Sequence, residues 1–429
     1  MEPVTGSDGK DRLLALLTSS HQTLVYNIGT GQVEQEISGM DMKAVWNDRQ
    51  AGQVYYTSQS SLKRFDPSAP SQSAETLATG VGTANAITKG KDGKIYLLTS
   101  GGVLVKYNPG NGKVERQKLD IPAQPIPINA ILYGPDGKIW MGGYLAGGHA
   151  AYDPITGKTT RHPGLDQTES MVVKGKSIYL GIYPKGRFYV YDSEKPWDAA
   201  SGNPRKLGAI EGQGRSFAML DVPGHDLVVF GMIPEYGKLG GALVTYHSAK
   251  DQLVSHGAVV PSQAIASLVM ADSLVLGGTT ISGGLGIRPA AREAVIFGWN
   301  VRENKKEFEV VPVPGAAAVT CMIQGPDGNV WGIAGGVLFI FDTGKREVIA
   351  SRRLFEVPPL TSHVWRGATM VLHPSGDVYG TGNDQLFRID GKTHDFTVLA
   401  KGASLLAMDK DGHLYFRKAR ELWRYTIEK

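Results

Sequence analysis

The stretch DGKIWMGGYLAGGHAAYDP (Asp136 to Pro154) contains a tight Asp-Gly turn, an Ile-Trp strand, a glycine-rich loop and a second strand ending Tyr-Asp-Pro. The same phrase returns as DGKIYLLTSGGVLVKYNP (Asp92 to Pro109) and DGNVWGIAGGVLFIFD (Asp327 to Asp342). Weaker copies are GKSIYLGIYPKGRFYVYD (Gly175 to Asp192), SGDVYGTGNDQLFRID (Ser375 to Asp390) and DGHLYFRKARELWRYTI (Asp411 to Ile427). The turns at Asp92 and Asp136 lie one period apart and those at Asp327 and Asp411 two. The period is about 40 to 50 residues, with several short strands in each, which is the spacing of a β-propeller blade. A lone four-stranded blade cannot bury both faces, so the blades are expected to stack as one all-β ring of antiparallel, four-stranded units.

Outward from that phrase, complete units are drawn at 41–80, 81–122, 123–165, 166–210, 211–260, 261–315, 316–358 and 359–402. Partial units stand at 12–40 and 403–429. The expectation is one propeller domain over 1–429, with eight full repeats and two partial terminal ones. Gly 55 in 429 residues exceeds the usual share of about 7% and suits a chain that turns every few residues.

Lys+Arg 45 against Asp+Glu 41 leaves no global field directed at nucleic acid. The single cysteine, Cys321, excludes an intramolecular disulfide; in the apolar run AAAVTCMI it reads as a buried, inert thiol. No apolar run reaches membrane-helix length. The N-terminus lacks the charged-then-apolar pattern of an export signal. Secreted or cell-surface placement is expected if a signal has been removed.

Within a blade, the first and third turns are short and stereotyped. The loops after the second strand, and the segments joining blades, carry the length and the chemistry. The former are Gly142 to Ala150, Gly181 to Arg187, Gly231 to Gly241 and Gly277 to Ala294; the joining segments include Pro122 to Ala130, Asp166 to Ser170, Glu211 to Ser216 and Leu360 to Ala368. Long loops on a rigid scaffold are where function concentrates. Tyr144, His149, Tyr183, Arg187, Arg215, Tyr236 and Lys238 are the candidate catalytic residues. Asn129, Glu169, Arg288, His363 and Arg366 are the candidate ligand-binding residues. Arginines and aromatic rings outnumber acids, which suits an anionic or sugar-like ligand.

No HExxH, CxxC or EF-hand loop is present, so neither a metal nor another cofactor is expected. GGLGIRP lacks a Walker lysine, and no GxSxG elbow occurs. Glu235 and Glu293 read as loop carboxylates rather than a glycosidase pair. β-Elimination from a uronic acid fits the inventory best: a cation for the carboxylate, a base for the C5 proton and an acid at the leaving oxygen. Arg187, Arg215 or Arg366 would supply the first, His149, His363 or Lys238 the second, and Tyr144, Tyr183 or Tyr236 the third. The alternative is a non-catalytic propeller binding a ligand or a partner protein, as a module of a larger exported protein.

The DGKIYLLTS, DGKIWMGG and DGNVWGIA phrases, followed by Y-x-P, Y-D-P or F-D, resemble the bacterial propeller repeats of the streptogramin lyase-like and YncE-like group. The resemblance covers most of residues 13–429 and implies a propeller. Streptogramin lyases open a lactone by elimination with a Glu-x-His pair and magnesium; no Glu-x-His occurs in this sequence.

Overall fold

The clearest repeats, at Asp92, Asp136 and Asp327, turn from their first to their second strand through an Asp-Gly pair. In the computed structural model, Gly137 takes φ 75° and Gly328 φ 80°, left-handed values that a Cβ would oppose. The turn aspartate then accepts from the aromatic side chain four residues on. Trp140 Nε1 donates to Asp136 at 2.9 Å, Trp331 Nε1 to Asp327 at 2.9 Å, and Tyr96 Oη to Asp92 at 2.9 Å. The indoles of Trp140 and Trp331 are buried between blades. Their one polar atom is therefore satisfied locally while the ring contributes apolar area.

The structure describes all residues except 18, 19, 21, 71, 121–124, 146, 147, 358–362 and 428–429. Residues 122–124, 146–147 and 360–362 of the loops singled out above lie outside the described residues. Among the described residues the strands form antiparallel meanders in chain order, nine of them four-stranded and one three-stranded. Among the described residues helix is confined to the turn Ser248–Lys250.

The chain divides into two compact units, Met1–Gln124 and Pro125–Lys429. The first unit holds three four-stranded sheets. Its opening sheet is complete: a strand at Glu2–Thr5 pairs with Asp11–Leu17. The sequence alone marks only a partial unit at 12–40, because the four residues Glu2–Thr5, one of them a proline, carry too little alternation to signal a strand. Val4, Leu14 and Val25 of this sheet pack with Val54, Tyr56 and Phe65 of the next.

The second unit holds seven sheets, here blades 1 to 7. Their innermost strands are Ile128–Tyr133, Thr168–Lys174, Gln213–Asp221, Ala264–Ala271, Val319–Gln324, Thr369–Leu372 and Ala403–Met408. Neighbouring inner strands pack in that order, and the seventh packs against the first. Arg417 Nη1 strengthens this closure by donating to the Ile128 carbonyl at 2.8 Å. The ring therefore closes within residues 125–429, whereas the sequence reading drew one ring over the whole chain. Apolar side chains fill the spaces between blades. Tyr179 and Phe188 of blade 2 meet Phe230, Val244 and Tyr246 of blade 3. Tyr379 and Leu386 of blade 6 meet Leu414 and Phe416 of blade 7. Cys321 lies in this packing, and burial pushes its thiol up to about 12.

Candidate functional site

The inner strands of blades 1 to 5 share a device near their N-terminal ends. One residue is squeezed out of register as a β-bulge: Asn129, Glu169, Phe217, Ala266 and Thr320, respectively. A bulge bends the strand and re-aims a side chain. A small residue follows each bulge, and in blades 2 and 4 it is a serine that ties neighbouring blades together. Ser170 Oγ donates to the Ser216 carbonyl at 2.6 Å, and Ser267 Oγ to the Val319 carbonyl at 2.8 Å.

Three bulge residues converge on one guanidinium. Arg366 Nη1 donates to the Asn129 carbonyl at 2.5 Å. Its Nη2 donates to the Glu169 carbonyl and to the Glu169 carboxylate, the latter at 2.9 Å. The guanidinium carbon lies 4.3 Å from the centroid of the Phe217 ring. Burial pushes the Arg366 pKa down to about 10, with the charges of Arg417 and Arg215 acting in the same direction and Glu169 against them. It remains a cation at neutral pH.

Glu169 is the anionic centre of the group, its side chain only 2% exposed. It accepts from Asn129 Nδ2 at 2.9 Å and Gln167 Nε2 at 2.8 Å, and it pairs with Arg366 at 2.9 Å and Arg215 at 3.5 Å. Two guanidiniums thus share one buried carboxylate, leaving net positive charge. Arg215 is enclosed by rings, its guanidinium carbon 4.2 Å from the Tyr183 centroid and 4.5 Å from that of Trp365.

Above Arg215 the surface is phenolic. The hydroxyls of Tyr183 and Tyr236 lie 3.1 Å apart, and Arg215 Nη2 donates to the Tyr236 oxygen at 3.4 Å. The Tyr183 hydroxyl, seconded by the Arg215 charge, holds Tyr236 below the ordinary phenol range; Tyr183 moves upward through the same hydrogen bond. Tyr236 is the more accessible of the two, 55% exposed. Its loop is fastened by two backbone bonds to the 283–285 stretch, Gly237 N to the Leu285 carbonyl at 2.8 Å and Gly284 N to the Lys238 carbonyl at 2.9 Å. The segment carrying Arg366 is fastened to the same neighbourhood. Trp365 Nε1 donates to the Gly283 carbonyl at 2.9 Å, and Val364 N to Ser282 Oγ at 2.9 Å. The His363 ring lies 3.7 Å from that of Trp365, and its pKa is lowered by burial and by Arg215.

The remaining expected residues fall elsewhere. His149 is not on a loop: it pairs across a strand with His162, is buried, and bonds Thr168 Oγ1. Its ring lies 5.0 Å from Trp197, and burial lowers its pKa to about 4. Arg187 binds Asp166 at 2.6 Å and the Tyr183 carbonyl at 3.1 Å, bracing the Tyr183 loop. Lys238 pairs with Glu235 at 2.9 Å. Glu293 accepts from Gly315 N at 2.9 Å. Tyr144 is exposed, and Arg288 lies with His363 on a cleft of about 300 Å³. Sequence reasoning missed Phe217, Trp365 and Gln167. Trp365 sat inside the quoted 360–368 segment beside His363 and Arg366, and Phe217 immediately followed Ser216.

No protein-family model and no curated protein sequence matches the chain. Solved structures do. The chain is similar to a structure of streptogramin B lyase at 14% identity and TM-score 0.51, over 72% of this chain and 96% of that one. It is similar at TM-score 0.49 and 10% identity to the WD40 β-propeller domain of Doa1, over 71% and 93% of the two chains. The extracellular domain of a hybrid two-component system from B. thetaiotaomicron matches at TM-score 0.34 and 14% identity, over 98% and 65%. The likeness to streptogramin B lyase is one of fold. Among the described residues no helix is long and apolar enough to cross a membrane.

Proposed function

We propose that the second unit binds an acidic saccharide on the Tyr183–Tyr236 surface and cleaves it by β-elimination, as a secreted or cell-surface protein. The reading is carried by one observation: an exposed phenol, Tyr236, whose hydroxyl lies 3.1 Å from that of Tyr183 and accepts from Arg215 at 3.4 Å, an arrangement that lowers its pKa. A phenol that ionises more readily is a better general base near neutral pH. In this scheme Arg215 faces the uronate carboxylate and stabilises the enolate-like charge that develops as C5 loses its proton. The Tyr236 phenolate takes that proton. The C5–H electrons form the C4–C5 double bond, the C4–O bond breaks, and the Tyr183 hydroxyl protonates the departing oxygen. His149 and Lys238 are left out as bases because one is buried and the other is paired with Glu235.

A second reading, a non-catalytic propeller that recognises a glycan or a partner protein, is favoured by the commitment of both Arg215 and Arg366 to Glu169. The two readings separate in ultraviolet absorbance during incubation with a panel of uronate-containing polysaccharides, since elimination creates a conjugated double bond. A rise that vanishes in Tyr236→Phe supports the lyase. Binding without a rise supports the module.

A further inference from the structure

Between blades 5 and 6 a cleft of about 500 Å³ opens, lined in part by Arg366 and by neither Tyr183 nor Tyr236. Its walls are mainly apolar: Val313, the Ala316–Ala318 run, Ile333, Phe355 and Val357. Among the described residues its cations are Arg366 and Arg353. Small-molecule sites characteristically enclose roughly 300–1,000 Å³, with apolar walls and a few fixed polar groups.

The cleft is shaped rather than incidental. Gly335 and Gly336 line it with φ of 56° and 77°, and a Cβ on Gly336 would stand 2.2 Å from the Phe355 carbonyl oxygen. Phe355 is held by the rings of Phe387 at 6.2 Å and Phe396 at 6.5 Å. On its opposite edge Gly382 leaves no room for a Cβ, which would lie 2.8 Å from Phe355 Cζ. These glycines therefore set the width of the cleft, and Phe355 is a preformed wall.

Charge decides the class of occupant. The charges of Arg417 and Arg215 both bear on Arg366, and Glu169 is the carboxylate that Arg215 and Arg366 share. Arg366 uses Nη1 and Nη2 on Asn129 and Glu169, while its Nε has no hydrogen-bond partner among the described residues. Arg353 is drawn to Glu356 at 3.5 Å, at a rim where both side chains are more than half exposed. An apolar cleft with a half-buried guanidinium on its wall, one that among the described residues shares its only carboxylate with a second arginine, favours an apolar body bearing one anionic group.

We infer that this cleft is a ligand site for a small amphipathic carboxylate, an aromatic or short aliphatic acid whose anion faces Arg366 and whose body lies against Ala317 and Phe355. It is distinct from the saccharide surface at Tyr183 and Tyr236.

The probe is 4-fluorobenzoate, followed by fluorine NMR on the whole protein, with 4-fluorobenzamide as its uncharged counterpart. The acid is expected to bind at least about tenfold more tightly than the amide, because a charge-assisted bond is lost in the latter. Ala317→Leu fills the cleft without removing a hydrogen bond and should weaken the acid about tenfold or more. Tyr236→Phe should leave it unchanged. Equal binding of acid and amide, or no binding of either, overturns the inference. So does undiminished binding by Ala317→Leu, or loss of binding in Tyr236→Phe, which would place the acid on the saccharide surface.

Discussion

Replacing Glu169 by Gln tests whether the arginine–carboxylate centre holds the second unit together. The substitution preserves shape and removes one charge. What remains is Arg366, previously 2.9 Å from the carboxylate, and Arg215 at 3.5 Å, facing an amide. Only one of the amide's two terminal atoms can accept, yet Asn129 and Gln167 also donate to this group at 2.9 and 2.8 Å. At least one donor is therefore left opposite another donor in a buried setting. Removing one partner of a buried ion pair destabilises by about 3–5 kcal/mol. For a unit of this size, at roughly 2 °C per kcal/mol, Tm should fall by about 6–10 °C. Tryptophan fluorescence during urea unfolding isolates the effect, because six of the seven tryptophans (all but Trp46) belong to residues 125–429. A Glu169→Gln protein within about 0.5 kcal/mol of wild type would refute the assignment of Glu169 as the charge that holds both guanidiniums.

Gly284→Ala should displace the Tyr236 loop and weaken saccharide binding more than it lowers stability, since the new Cβ would lie 1.9 Å from the Glu235 carbonyl oxygen and 2.9 Å from Tyr236 Cα; parallel calorimetry and thermal melts check this. Tyr183→Phe should move the Tyr236 titration upward toward the ordinary phenol range, read by ultraviolet difference spectra of the phenolate, because the largest cause of its lowered pKa is removed. His149 gives an acid-dependent stability. Its folded pKa is lowered from 6.5 to about 4, so the unfolded chain binds the proton first. Stability is complete above pH 6.5, declines as pH falls, and levels off below 4 after a loss of about 3 kcal/mol. His149→Phe should flatten that slope relative to wild type in urea titrations across this window.

The blade was legible because its signal is local. In the copies at Asp92, Asp136 and Asp327 the turn glycine takes positive φ and the aromatic four residues on donates to the turn aspartate, so these copies advertise themselves within six residues. Ring closure was not legible. It depends on Ala403–Met408 packing against Ile128–Tyr133 and on Arg417 reaching Ile128, contacts between segments nearly a whole unit apart. Asn129, Glu169, Arg215 and Arg366 drew attention in the sequence because they stand at or just before strand starts, and the structure brings them together around one carboxylate. Why they converge lay in a pattern that reads only in hindsight: Ile-Asn-Ala, Thr-Glu-Ser, Ser-Phe-Ala, Ile-Ala-Ser and Val-Thr-Cys each put a bulge residue before a small one. His149 misled because the glycines before it suggest a loop, whereas its pairing with His162 makes it a strand residue with a buried ring. Arg187 and Lys238 read as site cations because their partners, Asp166 and Glu235, lie on a joining segment and a long loop whose paths the sequence does not reveal.

The most direct test of the central claim is calorimetric titration with an oligogalacturonate and with its uncharged oligogalactose counterpart, using wild type, Arg215→Met and the Tyr183→Phe/Tyr236→Phe double variant. The account predicts that wild type binds the acidic oligosaccharide and discriminates against the neutral one. Arg215→Met should lose the discrimination, and the double variant should lose affinity. Equal affinity for both saccharides, or binding that survives in both variants, would contradict it.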